Sequence, residues 1–191
     1  NALTPLSLRL ACELRDDDPN LYVDSSLENS HCDHRLRLLI NSDIHTRHAI
    51  ASQPFAIIER ETGSHAEEWQ EHYREMPVDI ETSEGIIAVA QAGKALVVNS
   101  RGMKEFQIIG DAPATVALTL FKSTGVLGRS DLDWRPGRAS GINNTVAETP
   151  DAQLLKPLRF SFTVALADSA DHLTLRQVEN QSAGQPFTYQ R

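Results

Sequence analysis

Cysteine is nearly absent from this chain. Cys12 and Cys32 are the only two in 191 residues, too few for a disulfide framework or a four-cysteine zinc site. A soluble protein of a reducing, cytoplasmic compartment is the plain reading. Basic blocks are absent too: 18 Lys and Arg stand against 26 Asp and Glu, for a net charge of −8. That balance argues against nonspecific binding to nucleic acid or to an anionic membrane. No apolar run approaches the length that spans a bilayer, and no charged-then-apolar leader opens the chain. Aromatic residues make up only 6%, few of them in loops, which disfavours a carbohydrate-binding module built on exposed rings. There is no Gly-x-Ser-x-Gly nucleophile elbow and no phosphate-cradling Gly-Lys-Ser/Thr.

What the sequence does contain is strand patterning. Leu6, Leu8, Leu10, Cys12 and Leu14 alternate with polar residues, the period of a half-buried strand. Asp16 to Asn20 is turn chemistry, and Leu21, Val23 and Leu27 alternate back, predicting a hairpin over residues 6–28. Further strands are predicted over 34–40, near 55–59, and over 85–90, 94–99, 105–109, 115–122 and 158–166. Residues 60–79 read as one surface helical turn or, preferably, a long excursion. Residues 123–157, rich in glycine and proline, show almost no periodicity. Asp168 to Asp171 offers helix caps, so His172 to Gln181 is predicted as a short helix. About nine strands and one helix near the C-terminus define an all-β fold, an antiparallel β-sandwich. Asn1 and Ala2 read as a tag scar, and residues 3–191 as one sandwich domain cut from a larger protein.

The chemistry candidates are weighed against plainer roles. His31/His34 and His45/His48 are pairs three residues apart, with Cys32 beside the first. Imidazole and thiolate suit zinc. That spacing fits a helix face, however, and on a strand it sends the two side chains to opposite faces, so loop or edge histidines are the better reading. Glu105, Asp111, Asp131 and Asp133 lie near the central loops, and glycosidases need two carboxylates flanking the scissile bond. No spacing singles out a pair among 26 acidic residues. Ser123 and Ser130 have glycine neighbours without a strand-turn-helix setting, and Gly125 and Gly128 lack the third glycine of a phosphate-cradling loop. Trp134 could stack on a sugar or plug a loop, and plugging is commoner. The Arg101-Gly102 pair after Asn99 is more informative. Glycine admits close backbone approach and arginine offers a rigid donor fork, against the alternative of a turn glycine beside a surface ion pair.

Five segments in order carry a resemblance: DHRLRLLI (33–40), QPFAIIERE (53–61), VVNSRGMKEFQIIG (97–110), TLFKSTGVLGRSDLDWRPG (119–137) and TPDAQL (149–154). Together they resemble the carboxy-terminal β region of glycoside hydrolase family 38, nearest the bacterial α-mannosidases that include mannosylglycerate hydrolase. The resemblance covers about Leu6 to Phe187. It implies a supersandwich-like domain of a retaining, zinc-dependent α-mannosidase. The zinc ligands and aspartate nucleophile of that family lie in an amino-terminal catalytic domain, and no position here matches them. The resemblance therefore implies no catalytic residue and no metal ligand in this chain, which is expected to be inactive alone. It implies packing on that catalytic domain and contact with a carbohydrate substrate through the parent enzyme. Arg101, with Asn99 as neighbour, is the candidate substrate-binding contribution. The competing reading is a free-standing carbohydrate-binding or interaction module.

Overall fold

The computed structural model describes residues 5–63, 68–73, 75–128, 131–132, 135–136 and 146–182. Strands β1 (Leu8–Leu14) and β2 (Asn20–Glu28) form the expected hairpin, in register from Leu8 opposite Leu27 to Leu14 opposite Leu21. Asp18 closes its turn by accepting hydrogen bonds from the Asn20 N–H (2.9 Å) and side-chain amide (2.7 Å), the local Asx chemistry that reverses a chain. Strands β3 (Arg35–Asn41), β4 (His48–Gln53) and β5 (Ala56–Glu61) follow. The one-turn helix α1 (Trp69–His72) and the three-residue β6 (Ile80–Thr82) come next. Neither β4 nor β6 is predicted from the sequence, because neither shows sustained alternation. A second hairpin consists of β7 (Ile86–Gln91) and β8 (Lys94–Asn99). Strands β9 (Glu105–Ile109) and β10 (Thr115–Lys122) complete the central region.

The stretch read as irregular holds four two-residue strands, β11 (Val126–Leu127), β12 (Asp131–Leu132), β13 (Arg135–Pro136) and β14 (Ala147–Glu148). A 3₁₀ turn over Pro150–Gln153 follows them. The chain then forms the long strand β15 (Pro157–Ala167) and the helix α2 (His172–Ser182).

Two antiparallel sheets face each other. One has seven strands in the order β1-β2-β15-β8-β7-β4-β5, the other four in the order β3-β10-β9-β6. Between them lie Val23, Phe162, Val98 and Ile87 of the larger sheet and Phe106, Val116 and Leu118 of the smaller. Alternate residues of the larger sheet, including Ile86, Ala88, Val97 and Ala165, face outward and are capped by Leu175 and Val178 of α2. This explains why β7 and β8 read as continuous apolar runs: both of their faces are covered. The sandwich therefore has three layers, two sheets and one helix.

One expectation is overturned. The first strand is not half-buried: every residue of β1 is exposed, Leu14 by 75%. Its alternation is that of an inward face, but β1 lies at the edge of a sheet nearly twice as wide as its partner. The core reaches Val23 and Leu27 of β2 and includes no residue of β1.

The turn between β4 and β5 is also unusual. Its second residue, Phe55, has φ +73 and is fully exposed, in a position where a two-residue turn with a leading proline favours glycine.

Phe162 is 2% exposed at the centre of the sandwich. Phe162→Ala is expected to cost about 3–5 kcal/mol, read as a fall in the urea midpoint. Asp171 caps α2: it accepts from the Ser169 hydroxyl and, at 2.8 Å, from the Thr174 N–H. These bonds hold its carboxyl at about 2 instead of 3.8. Because the folded value is depressed, the cap's contribution is complete above pH 3.8 and is lost as the pH falls through 2. Amide protection of α2 should therefore fall across that window, and Asp171→Asn should remove that pH dependence.

Candidate substrate-facing loop and cleft

The loop after β8 is built from within. The Ser100 N–H donates to the Gly85 carbonyl at 2.8 Å, and the Met103 N–H returns to the Ser100 carbonyl at 3.2 Å, closing a four-residue turn. Arg101 and Gly102 occupy its corners at φ +47 and φ +106. Asn99 is 6% exposed, and its side-chain oxygen accepts from the Arg101 N–H at 3.2 Å. Asn99 thus holds the turn from beneath, while Arg101 is exposed above it. The Arg101 guanidinium lies 5.7 Å from the Tyr22 ring centre, and Arg15 covers the same ring at 3.7 Å. Both are within cation–π range. The Tyr22 hydroxyl donates to Asp18 at 2.6 Å. This bond lowers the Asp18 carboxyl and raises the Tyr22 phenol. The turn of the first hairpin and the Arg101 loop are thereby coupled through one tyrosine, a contact no sequence spacing announces.

On its other side the loop borders an open cleft of about 880 Å³ between the two sheets. Phe121 and Phe160 stack in parallel along its floor, with ring centres 6.1 Å apart. The register of β10 against β3 shifts between Thr119 and Phe121, just before this ring. Residues 116–121 are all buried, with Leu120 and Phe121 at 5% and 7% exposure on either side of the bulged end of the strand. Among the described residues Arg101, Lys104, Lys122, Arg159 and Glu105 border the cleft, and both lysines are ion-paired, Lys104 with Glu84 and Lys122 with Glu105. Burial pushes the Glu105 carboxyl up. Hydrogen bonds from Lys122 and from Thr119 (2.7 Å), with the charges of Lys122 and Arg35, outweigh burial and hold it below its ordinary 4.5.

The other candidates do not assemble into a catalytic set. Ser123 Oγ lies 3.2 Å from His34 Nδ1, but Asp33 is turned away. Its Oδ1 accepts from the Gly125 N–H and the Gln153 amide, each at 2.8 Å. A serine triad needs its carboxylate on the histidine. His31 and His34 are 6.3 Å apart by ring centre. His45 lies in a loop and His48 begins β4. Among the described residues no three His, Cys, Asp or Glu side chains converge as a metal site. Glu105 is tied to Lys122 and Arg35, and Asp111 to Arg47 at 3.2 Å. Asp131 lies on β12. Ser130, Asp133 and Trp134 lie outside the described residues.

The fold and sequence have recognisable relatives, although no family model matches. The chain is 26% identical over 154 residues to a Halalkalibacterium halodurans protein named "Putative mannosylglycerate hydrolase", covering 78% of this chain and 14% of that protein. Two solved structures from Enterococcus faecalis share its fold over 98% of its length. One is a protein of glycosyl hydrolase family 38, with TM-score 0.72 and 19% identity. The other is an alpha-mannosidase, with TM-score 0.74 and 21% identity. The resemblance to family 38 drawn from the five segments thus has counterparts in both sequence and fold. The chain spans only 14% of the curated relative and 19% of each solved chain.

Gly102 has no neighbouring atom within 4 Å of an added Cβ, so a side chain there meets backbone strain alone. Gly102→Ala is expected to cost about 1–3 kcal/mol, measured by urea unfolding.

Proposed function

We propose that this chain is the carboxy-terminal β-sandwich segment of a larger α-mannosidase of glycoside hydrolase family 38. In this reading it supports a catalytic domain outside the chain and lends Arg101 to the substrate pocket. The observation that carries the reading is the match in extent: nearly the whole chain superposes on a fifth of each solved structure. A sandwich that aligns end to end with part of a much longer enzyme behaves as one of its structural units. The substrate is an α-mannoside, with mannosylglycerate the specific candidate on the strength of the curated relative's name. The zinc that the resemblance implies belongs to the catalytic domain. The described residues of this chain offer no set of ligands for it, and no catalytic step is assigned to them.

Within this reading the roles of the two site residues divide. Arg101, exposed and held in a left-handed turn, is the group that can reach a sugar hydroxyl or carboxylate. Asn99, buried beneath it, fixes the turn through its bond to the Arg101 N–H. The exposed, unbridged Cys12 and Cys32 agree with a reducing, cytoplasmic setting. No helix among the described residues is long and apolar enough to cross a membrane.

A second reading, a free-standing carbohydrate-binding module, is favoured by one observation: Phe55 presents a whole aromatic ring at a hairpin tip. Assays of the 191-residue chain and of the full-length parent on an α-mannoside and on mannosylglycerate, with zinc, separate the readings. The parent should hydrolyse and the chain alone should not, and activity in the isolated chain overturns the proposal. In the parent, Arg101→Ala should lower kcat/KM by about 1.5–3 kcal/mol if a charge-assisted hydrogen bond is lost. An unchanged kcat/KM removes the pocket contact.

A further inference from the structure

We infer that β1 is a seam that pairs, antiparallel and centred on Ala11, with β1 of a second copy of this chain. The unpaired side of an edge strand presents N–H and C=O groups that invite another strand, and proteins usually blunt such edges with charge, proline, bulges or shortness. Three of the four edges of the two facing sheets are blunted. The β5 edge ends in Glu59, Arg60 and Glu61, the β3 edge carries Arg35 and Arg37, and β6 is three residues long. β1 is charged as well, but its two charges, Arg9 and Glu13, are of opposite sign; it has no proline and no lysine, and it pairs with β2 over seven residues without a bulge. It also leaves Leu8, Leu10 and Leu14 exposed by 40%, 46% and 75%.

The sequence of β1 is complementary to itself. Read outward from Ala11, Leu10 matches Cys12, Arg9 matches Glu13, and Leu8 matches Leu14. Two copies related by a two-fold axis at Ala11 therefore place each Arg9 opposite the other copy's Glu13, twice, with apolar side chains facing each other on the opposite surface. Arg9 makes no ion pair among the described residues, and Glu13 is held only by the exposed Arg15 two positions on. Other registers fail on charge or on face. Centring the pair on Cys12 sets Arg9 against Arg15, centring it on Leu10 leaves Glu13 opposite Ser7, and a one-residue slip turns leucines onto the charged surface. The interface is closed and isologous, joining two seven-stranded sheets into one of fourteen strands. The seam does not rest on the glycosidase reading, but within a larger parent it requires that β1 remain uncovered.

Sedimentation equilibrium of the 191-residue chain should show a monomer–dimer equilibrium. Arg9→Glu alone and Glu13→Arg alone each set like charges opposite one another at both symmetry-related positions. Each should weaken the dimer by roughly tenfold, and the double variant R9E/E13R should restore it. A C12S/C32S chain carrying Ala11→Cys should form a disulfide-linked dimer on mild oxidation. A C32S chain that keeps Cys12 should not, since diagonal residues sit about 7–8 Å apart, beyond disulfide reach. A chain that stays monomeric at every concentration overturns the proposal. So does a dimer indifferent to the two single charge reversals, or one cross-linked through Cys12. Protection of β1 in a monomeric full-length parent would show that another segment covers it, which also overturns the seam.

Discussion

The architecture depends on where β15 pairs. This last strand enters between β2 and β8, with Phe162 opposite Val23 and Val164 opposite both Leu21 and Val98. Without it the first hairpin would have no bond to the rest of the larger sheet, and the inner face would lose Phe162 at its centre. Its outward residues matter equally. Ala165 lies beneath α2 and is nearly inaccessible, so a larger side chain there would push against the helix. The strand thus sets the spacing of all three layers. Since its partners lie more than sixty residues earlier in the chain, the sheet is assembled by long-range contacts, and its closure carries the loop entropy of a non-local fold.

That arrangement explains which features could be read from the residues alone. The hairpin of β1 and β2, the strands β7 to β10, β15 and the capped α2 all announce themselves by period, turn chemistry or cap. Those signals are local. β4 and β6 escaped because their order comes from neighbours: β4 takes its register from β5 and β7, and β6 from β9. The exposure of β1 could not be read either. Alternation shows which face of a strand is apolar, but whether that face is covered depends on how far the opposite sheet extends.

The site followed the same division. Arg101 and Gly102 are legible as a turn that can approach something, and the left-handed backbone at both positions agrees. The burial of Asn99 was not legible, nor was the placing of Tyr22 beside Arg101 from a hairpin some eighty residues earlier. The cleft beside the loop draws Arg101, Lys104, Lys122 and Arg159 from separate stretches of the chain. No run of basic residues marks this gathering in the sequence, and an overall charge of −8 gives no sign of it. Net charge constrains the average surface, whereas a ligand meets a local field.

Phe55 carries a different implication. Its ring contributes nothing to the core and its backbone occupies a left-handed position that glycine fills with less strain. A residue that gains the fold so little is tolerated when something outside the fold gains from it, or when nothing has selected against it. Position 55 therefore separates two selective pressures that coincide at most sites. At a core position such as Phe162, a change in sequence reports on folding and use together. At Phe55 it reports almost entirely on use, so retention of an aromatic there across related chains would record a contact that the isolated sandwich does not contain.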